Sequence, residues 1–194
     1  MWNVVTGEWE KVGNLLGPTG PNGLDGAGAI IPFASGGPVT LSTATVGGTR
    51  DSVAALGFGA FIIYLAPNVN EPIDISATDQ LAFSMPTAGT ITDLSAYFSP
   101  TAGGLLNQIT EVTAQLFAST VPNDEFYPVE GAYITFEFPT DVSAADPVFA
   151  AKTLLTPVSF NANTRLFLAF YNETPNWSGQ TSITGYMSGA IKIQ

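Results

Sequence analysis

The sequence predicts an all-β protein, a sandwich or barrel of about ten strands, and three observations lead to this fold class. Stretches rich in Val, Ile, Thr, Phe and Tyr follow one another after Gly28, separated by Gly, Pro, Asn and Ser at intervals of roughly 8 to 12 residues. Several stretches alternate apolar and polar residues, which directs one face of each strand to a core. Capped helical spacing over about ten residues is missing, and so are repeats of roughly 20 to 50 residues.

The opening segment, residues 1–16, contains two tryptophans around a turn-forming dipeptide. Thr6 and Gly7 lie between Trp2 and Trp9, which predicts a short hairpin with its turn at these two residues. A disordered terminus is the alternative interpretation.

Glycine recurs at every third position of residues 17–26, which read Gly-Pro-Thr-Gly-Pro-Asn-Gly-Leu-Asp-Gly. Only glycine fits the axis of a collagen triple helix, so residues 17–28 are interpreted as the remnant of a collagen-like stalk, which would join three chains. An ordinary Pro/Gly linker is the alternative, because so few triplets are too short to hold a triple helix. The remaining residues, 29–194, are enough for one domain with a single core.

The predicted strands of this domain share β-branched and aromatic residues between turn formers. They are Ala29–Ala34, Val39–Thr43, Ala54–Leu65, Gln80–Ser84, Gly89–Phe98, Ile109–Ser119, Ala132–Phe138, Thr153–Asn161, Arg165–Tyr171 and Thr181–Ile193. Alternation is clearest in Ile109–Ser119, with slips, and is recognisable in Gly89–Phe98. Ser143–Asp146 is the one place where a single helical turn is expected.

The composition combines few charges with many hydrophobic residues. Charged residues make up 11% of the chain and hydrophobic residues 45%, whereas soluble domains carry roughly 25% charged residues. Uncharged polar residues must therefore cover the surface, or part of it must be buried against partner subunits. The net charge of −11 argues against nucleic acid as a partner. No apolar run approaches the length of about 20 residues that membrane insertion requires.

The chain lacks the residue types that most enzymes use. It contains no cysteine and no histidine, which removes thiol nucleophiles, the usual general base and the commonest ligands of transition metals. Serine and threonine are abundant, but without histidine a nucleophile would need a lysine partner in a recognisable motif. We therefore expect no enzymatic activity and no cofactor.

Acidic residues are the remaining material for chemistry. Glu71, Asp74 and Asp79 lie within nine residues of one another, and Asp124 and Glu125 form a second group. Their spacing matches no known ligand loop, so we interpret them as solvated loop charges. A calcium site or a pair of carboxylates that hydrolyses polysaccharide remains the alternative.

Several segments resemble a known family when taken in order. They are Gly-Ala-Gly-Ala-Ile-Ile-Pro-Phe-Ala-Ser-Gly at 26–36, Ala-Leu-Gly-Phe-Gly at 55–59, Ala-Phe-Ser-Met-Pro at 82–86, Gly-Thr-Ile-Thr-Asp-Leu at 89–94, Tyr-Phe-Ser at 97–99 and Gly-Tyr-Met-Ser-Gly-Ala-Ile at 185–191. With the Gly-Pro-Thr triplet upstream, this order resembles the C-terminal domain of the collagen-like exosporium glycoproteins that cover spores of bacilli and clostridia. The resemblance extends from about residue 17 to residue 194.

The resemblance implies an antiparallel jelly-roll sandwich that assembles as a homotrimer, similar in architecture to the tumour-necrosis-factor and complement-like heads. It implies a structural role as the trimerisation head of a collagen-like filament, extracellular, on the spore surface or an appendage. Other spore-coat or appendage proteins, a host surface or glycans would be its further partners.

Two departures from the family matter for the anchoring of the chain. The collagen-like stretch is short, and the Trp2 and Trp9 segment is not the leader by which such proteins attach to the spore. The tryptophan segment resembles modules that precede collagen-like stretches in phage tail fibres. A receptor- or carbohydrate-binding tip of a virion tail fibre is therefore the alternative function.

Site residues are carried over from the jelly-roll analogy as expectations. Of Tyr97, Phe167, Phe170 and Tyr186, which fall on predicted strands, we expect about half to pack between subunits of the trimer.

A possible ligand loop follows the strand that ends near Tyr171. It carries two glycosylation sequons, at Asn172 and Asn176, and one tryptophan, Trp177, whose ring can stack on a sugar or a protein. The alternative is a tryptophan folded onto its own domain.

Overall fold

The computed structural model describes residues 2–9, 28–44, 47–65, 71–76, 81–101, 104–105, 108–121, 123–138, 140–142, 147–175 and 179–194. In this part of the chain all regular structure is β, which confirms the predicted class. No helix with the length and hydropathy needed to cross a bilayer occurs in these ranges. Residues 10–27 and 143–146 lie outside them, so the collagen-like stalk and the single helical turn stay predictions.

The strands are numbered in chain order. They are β1 (Trp2–Asn3), β2 (Glu8–Trp9), β3 (Ala29–Ala34), β4 (Val39–Ser42), β5 (Ser52–Leu56), β6 (Phe61–Leu65), β7 (Ile73–Asp74), β8 (Phe83–Ser84), β9 (Gly89–Pro100), β10 (Gly104–Leu105), β11 (Thr110–Ser119), β12 (Glu125–Phe138), β13 (Asp141–Val142), β14 (Val148–Phe160), β15 (Arg165–Glu173) and β16 (Ser182–Ile193).

Two antiparallel sheets form the sandwich. Sheet I has the order β14-β9-β16-β3, with β4 also paired to β16, and sheet II has the order β6-β5-β15-β11-β12-β7, with β8 also paired to β15. When the eight main strands β3, β5, β9, β11, β12, β14, β15 and β16 are counted from first to last, the two sheets have the orders 6-3-8-1 and 2-7-4-5. This strand order is that of a jelly roll.

The main core lies between the two sheets. Strands of both sheets direct alternate residues into it, among them Phe98 of β9, Leu116 of β11 and Phe170 of β15. A second cluster covers part of the other face of sheet II, where Phe167 packs with its ring centroid 5.4 Å from that of Phe117 and 4.7 Å from that of Phe126. Sheet II is therefore buried on both faces over part of its area.

The predicted strands are found in order, and three of them differ from the prediction in an informative way. The strand predicted to begin at Ala132 begins seven residues earlier, at Glu125 in β12. The predicted strand Ala54–Leu65 is two strands, β5 and β6, because the amide of Gly57 bonds the carbonyl of Ala60 at 2.9 Å and Gly59 has a φ of +100°. The strand predicted to begin at Thr153 begins five residues earlier, in β14.

The amino-terminal hairpin is confirmed. Trp2 pairs with Trp9 in a two-stranded ladder, and their rings meet edge to face with centroids 5.5 Å apart. Gly7 has a φ of +69°, which glycine adopts at no steric cost in a tight turn.

Candidate functional site

The outward face of sheet I is the surface whose composition is unusual. Its strands alternate, so that in β9 Leu94 and Phe98 point into the core while Ser95 and Tyr97 point outward. We call the outward side chains of this sheet the sheet I face. They are Ile30, Pro32 and Ala34 of β3, Asp93, Ser95 and Tyr97 of β9, Phe149, Ala151 and Thr153 of β14, and Tyr186, Ser188, Ala190 and Lys192 of β16.

Cross-strand register brings these side chains together in rows. One row runs from Phe149 through Tyr97 and Ser188 to Ala34. The next row runs Ala151, Ser95, Ala190, Pro32 and contains only small side chains. Small residues in the middle leave a shallow depression of about 270 Å³. A shape of this kind lets another surface approach closely.

Ile30 lines the depression, and further large apolar side chains of the same face are open to solvent. Phe149 is 79% exposed, and Ile30, Tyr97 and Tyr186 are also exposed. Several large apolar groups on one face cost free energy in water, since each loses the stabilisation that burial would give. Contiguous patches of this kind mark interaction surfaces more often than scattered hydrophobic residues do.

Charge is nearly absent from the sheet I face. The five strands of this sheet carry three charged residues, Asp93, Lys152 and Lys192. Lys152 turns away to sheet II, where its Nζ donates to the carbonyls of Gly131 and Tyr133, both at 3.1 Å. Asp93 and Lys192 are directly opposite each other in adjacent strands, so the face carries no net charge.

Asp93 is held in its ionised form by neighbours on the same face. The hydroxyls of Thr153 and Thr92 each donate to its carboxylate at 2.7 Å. These hydrogen bonds, Thr153 first, lower the pKa of Asp93, and the charge of Lys192 adds to the effect. Two hydroxyl donors therefore fix the acidic group of this face, and the charge of Lys192 in the adjacent strand balances its charge.

The four expected interface residues divide into two pairs. Tyr97 and Tyr186 both lie on the sheet I face and are exposed. Phe167 and Phe170 are 1% and 0% exposed within the single chain, so the half of the four residues that can reach another subunit is Tyr97 and Tyr186. Phe170 points into the main core, and Phe167 lies in the second cluster beside Phe126.

The expected ligand loop is only partly within the described residues. Asn176 and Trp177 lie outside them. Asn172 is the penultimate residue of β15 and is fully buried, with its amide donating to the carbonyl of Thr181 at 3.4 Å. A buried asparagine cannot receive a glycan or contact a ligand, so the assignment of Asn172 to an accessible loop is corrected.

The two acidic groups of the sequence approach each other without forming a site. Asp74 of β7 is opposite Glu125 of β12, and Asp124 forms a salt bridge of 2.9 Å with Arg165. The carboxylate of Asp74 accepts the amide of Ser76 at 2.8 Å, as in a solvated turn. Asp79 lies outside the described residues, and within the described ranges no three acidic residues are placed to hold a metal ion.

The residue that sequence reasoning missed is Phe149. It stands in Val-Phe-Ala-Ala before Lys152, where both faces of the strand are apolar and period 2 gives no direction. The run of uncharged residues could have revealed it, because an edge strand is expected to have one polar face.

Known structures with a similar arrangement were found, at low identity. A structure of infectious bursal disease virus, Gx strain, is 9% identical over 86% of this chain with a TM-score of 0.37, and this chain spans 32% of that one. Eiger TNF from S. frugiperda is 12% identical (85% of this chain, 92% of that one, TM-score 0.35), and Broad Bean Stain Virus is 11% identical (93% and 91%, TM-score 0.34). No protein-family model and no curated protein matches the chain. The jelly-roll assignment rests on the strand order given above.

Proposed function

We propose that this chain is a structural head that associates with itself as a homotrimer and terminates a collagen-like filament on a bacterial spore surface or appendage. The observation that carries the proposal is the sheet I face, which exposes large apolar side chains around small ones with no net charge. The role assigns no catalysis to the chain and needs no cofactor.

The distribution of charge favours a second copy of the chain as the occupant of this face. Copies with a net charge of −11 repel one another. A contact through sheet II would bring together Glu111, Glu130, Glu137 and Glu173 of each copy, which lie on its strands. The sheet I face carries a single balanced pair, so it is where copies approach at the lowest electrostatic cost.

A closed ring of three requires a second, different patch on the neighbouring copy, because three-fold contacts are heterologous. The bulge of β14 offers one. Pairing with β9 is interrupted between Thr153 and Val158, and Leu155, within the interruption, is 98% exposed. We propose that Leu155 of one copy packs beside the sheet I face of the next.

The filament part of the proposal is supported by the glycine triplets and by the family resemblance. Gly28, where the described head begins, packs against the last strand, so close that a Cβ would stand 2.5 Å from the carbonyl of Ile193. In a three-fold ring the three chains would then enter the heads at one end, as a triple-stranded stalk requires.

Solution mass tests the proposal directly. Light scattering on the full chain at micromolar concentration should give three times the chain mass of 20.2 kDa. Tyr97→Arg should reduce this mass, because three unpaired charges would enter the contact. The matched control is Tyr127→Arg, a half-exposed tyrosine of sheet II, which should leave the mass unchanged.

A monomeric mass for the unmodified chain contradicts the proposal. Dissociation by both substitutions would move the contact away from the sheet I face. Unchanged trimer mass in Tyr97→Arg, with a folded control, would do the same.

A further inference from the structure

A groove of about 550 Å³ crosses the outward face of sheet II, away from the sheet I face. Strands β11, β12 and β15 run side by side beneath it, and its lining includes Glu111, Gln115, Glu130, Tyr133, Tyr171 and Glu173. The volume is within the range of small-molecule sites, roughly 300 to 1,000 Å³. No side chain of the sheet I face belongs to its described lining.

The floor of the groove is an ordered set of hydrogen-bonding groups. Thr113 is opposite Thr135 on one side and Tyr171 on the other, and the two threonine hydroxyls are 2.9 Å apart. The hydroxyl of Tyr171 donates to Oε1 of Gln115 at 3.1 Å. These bonds fix the amide and hydroxyl dipoles before any ligand arrives, which lowers the entropy cost of binding.

One wall is an aromatic ring held from behind. Tyr133 is 46% exposed, and the ammonium group of Lys152 lies 4.4 Å from its ring centroid. Lys152 also donates to the carbonyls of Gly131 and Tyr133, so three contacts hold it in place. A braced tyrosine with an apolar face and a polar tip is suited to stacking on a partner.

Carboxylates stand in register at one end of the groove. Glu111 is directly opposite Glu173 in β15 and Glu137 in β12. Like charges in direct opposition destabilise a sheet, and burial raises the pKa of Glu173 even though Arg50 is nearby. Glu173 offsets the charge of the buried Arg50, but its direct opposition to Glu111 costs stability, and rules broken in this way concentrate at functional sites.

We propose that the groove binds a saccharide that carries no acidic group. Sugar hydroxyls donate to carboxylates and exchange hydrogen bonds with amides and hydroxyls, and a sugar ring stacks on a tyrosine. The carboxylates repel sulfated or sialylated glycans. Among the described residues lining the groove there is no lysine or arginine to pair with an acidic sugar.

The position of the groove suits recognition at a surface. It lies on the sheet opposite the sheet I face, so a trimer formed through that face would present three copies together. Three linked sites can bind a multivalent glycan surface far more tightly than one site does. The groove exists in a single chain, so the inference does not depend on trimer formation.

The test uses an array of immobilised neutral, amino, sialylated and sulfated glycans, probed with the full chain. Two variants remove the wall and the floor, Tyr133→Ala and Gln115→Ala, and Tyr127→Ala is the control on the same strand, at 50% exposure against 46%. Solution mass and melting temperature are recorded for each protein, so a change in assembly or folding is seen separately from a change in binding.

The expected result is binding to at least one neutral or amino glycan, weakened about fivefold or more by Tyr133→Ala and kept by Tyr127→Ala. Gln115→Ala should weaken it as well. No binding to any neutral or amino glycan, binding to acidic glycans alone, or equal losses in Tyr133→Ala and Tyr127→Ala would each overturn the assignment. A monomeric mass with intact glycan binding would contradict only the proposed trimer.

Discussion

Replacing Phe149 with alanine should separate the stability of the assembly from that of the chain. The ring is 79% exposed in the single chain. Complete burial of a phenylalanine contributes about 1.5–3 kcal/mol, so about 2 kcal/mol is still available for association. Three copies in a trimer together contribute about 6 kcal/mol, which corresponds to a change of about four orders of magnitude in the trimer dissociation constant.

Sedimentation equilibrium over a dilution series measures this change. The unmodified chain should stay trimeric to lower concentrations than Phe149→Ala, while the far-ultraviolet spectrum stays the same. Leu65→Ala is the control, since Leu65 is 83% exposed on β6, an edge strand of sheet II. The reasoning fails if Phe149→Ala dissociates no more readily than the unmodified chain, or if Leu65→Ala has the same effect.

Three further outcomes are expected. Deleting residues 1–27 should leave the chain trimeric and its melting temperature nearly unchanged, because the strands of the sandwich begin at Ala29 and β1 and β2 form a separate two-stranded sheet; a monomeric product would make the stalk the trimerisation element. Gly189→Ala should lower the free energy of unfolding by about 2 kcal/mol in a urea titration, because its Cβ would stand 2.5 Å from Leu168 and from the carbonyl of Ser95; an unchanged midpoint would refute this. Glu173→Gln should raise stability at neutral pH, because burial raises the pKa of Glu173 and its ionised form opposes folding. That gain should disappear as the pH falls below the ordinary value of 4.5, and a gain that persists in acid would show another cause.

Period 2 in the sequence was sufficient for most strands and for the direction of several side chains. In Gly89–Phe98 the alternation places Tyr97 outward and Phe98 in the core, as the structure has it. The pattern fails in β14, where apolar residues occupy the exposed face as well as the core face, Phe149 among them. In such a strand an apolar residue alone does not tell whether its side chain lies in the core or on the exposed face.

The same ambiguity explains why the sequence could not separate Phe167 and Phe170 from Tyr97 and Tyr186. Sheet II has a core on one side and a second cluster on the other, so both neighbouring parities of β15 are buried within one chain. Sequence alone cannot distinguish a strand with two cores from a strand with one core and a subunit contact. Likewise, the groove brings together residues from three strands. The sequence shows which residues they are, but which of them face one another depends on the bulge between Gln115 and Phe117.

The hydrogen bonds of Lys152 protect an edge of sheet II against addition of strands from other molecules. Apart from the two residues that pair with β7, β12 is an edge strand of sheet II. Unpaired edges are templates to which a strand from another molecule can add. The ammonium group of Lys152, on a strand of the other sheet, donates to the carbonyls of Gly131 and Tyr133 on this edge. A single side chain thus protects this part of the edge while also bracing the ring beside the groove.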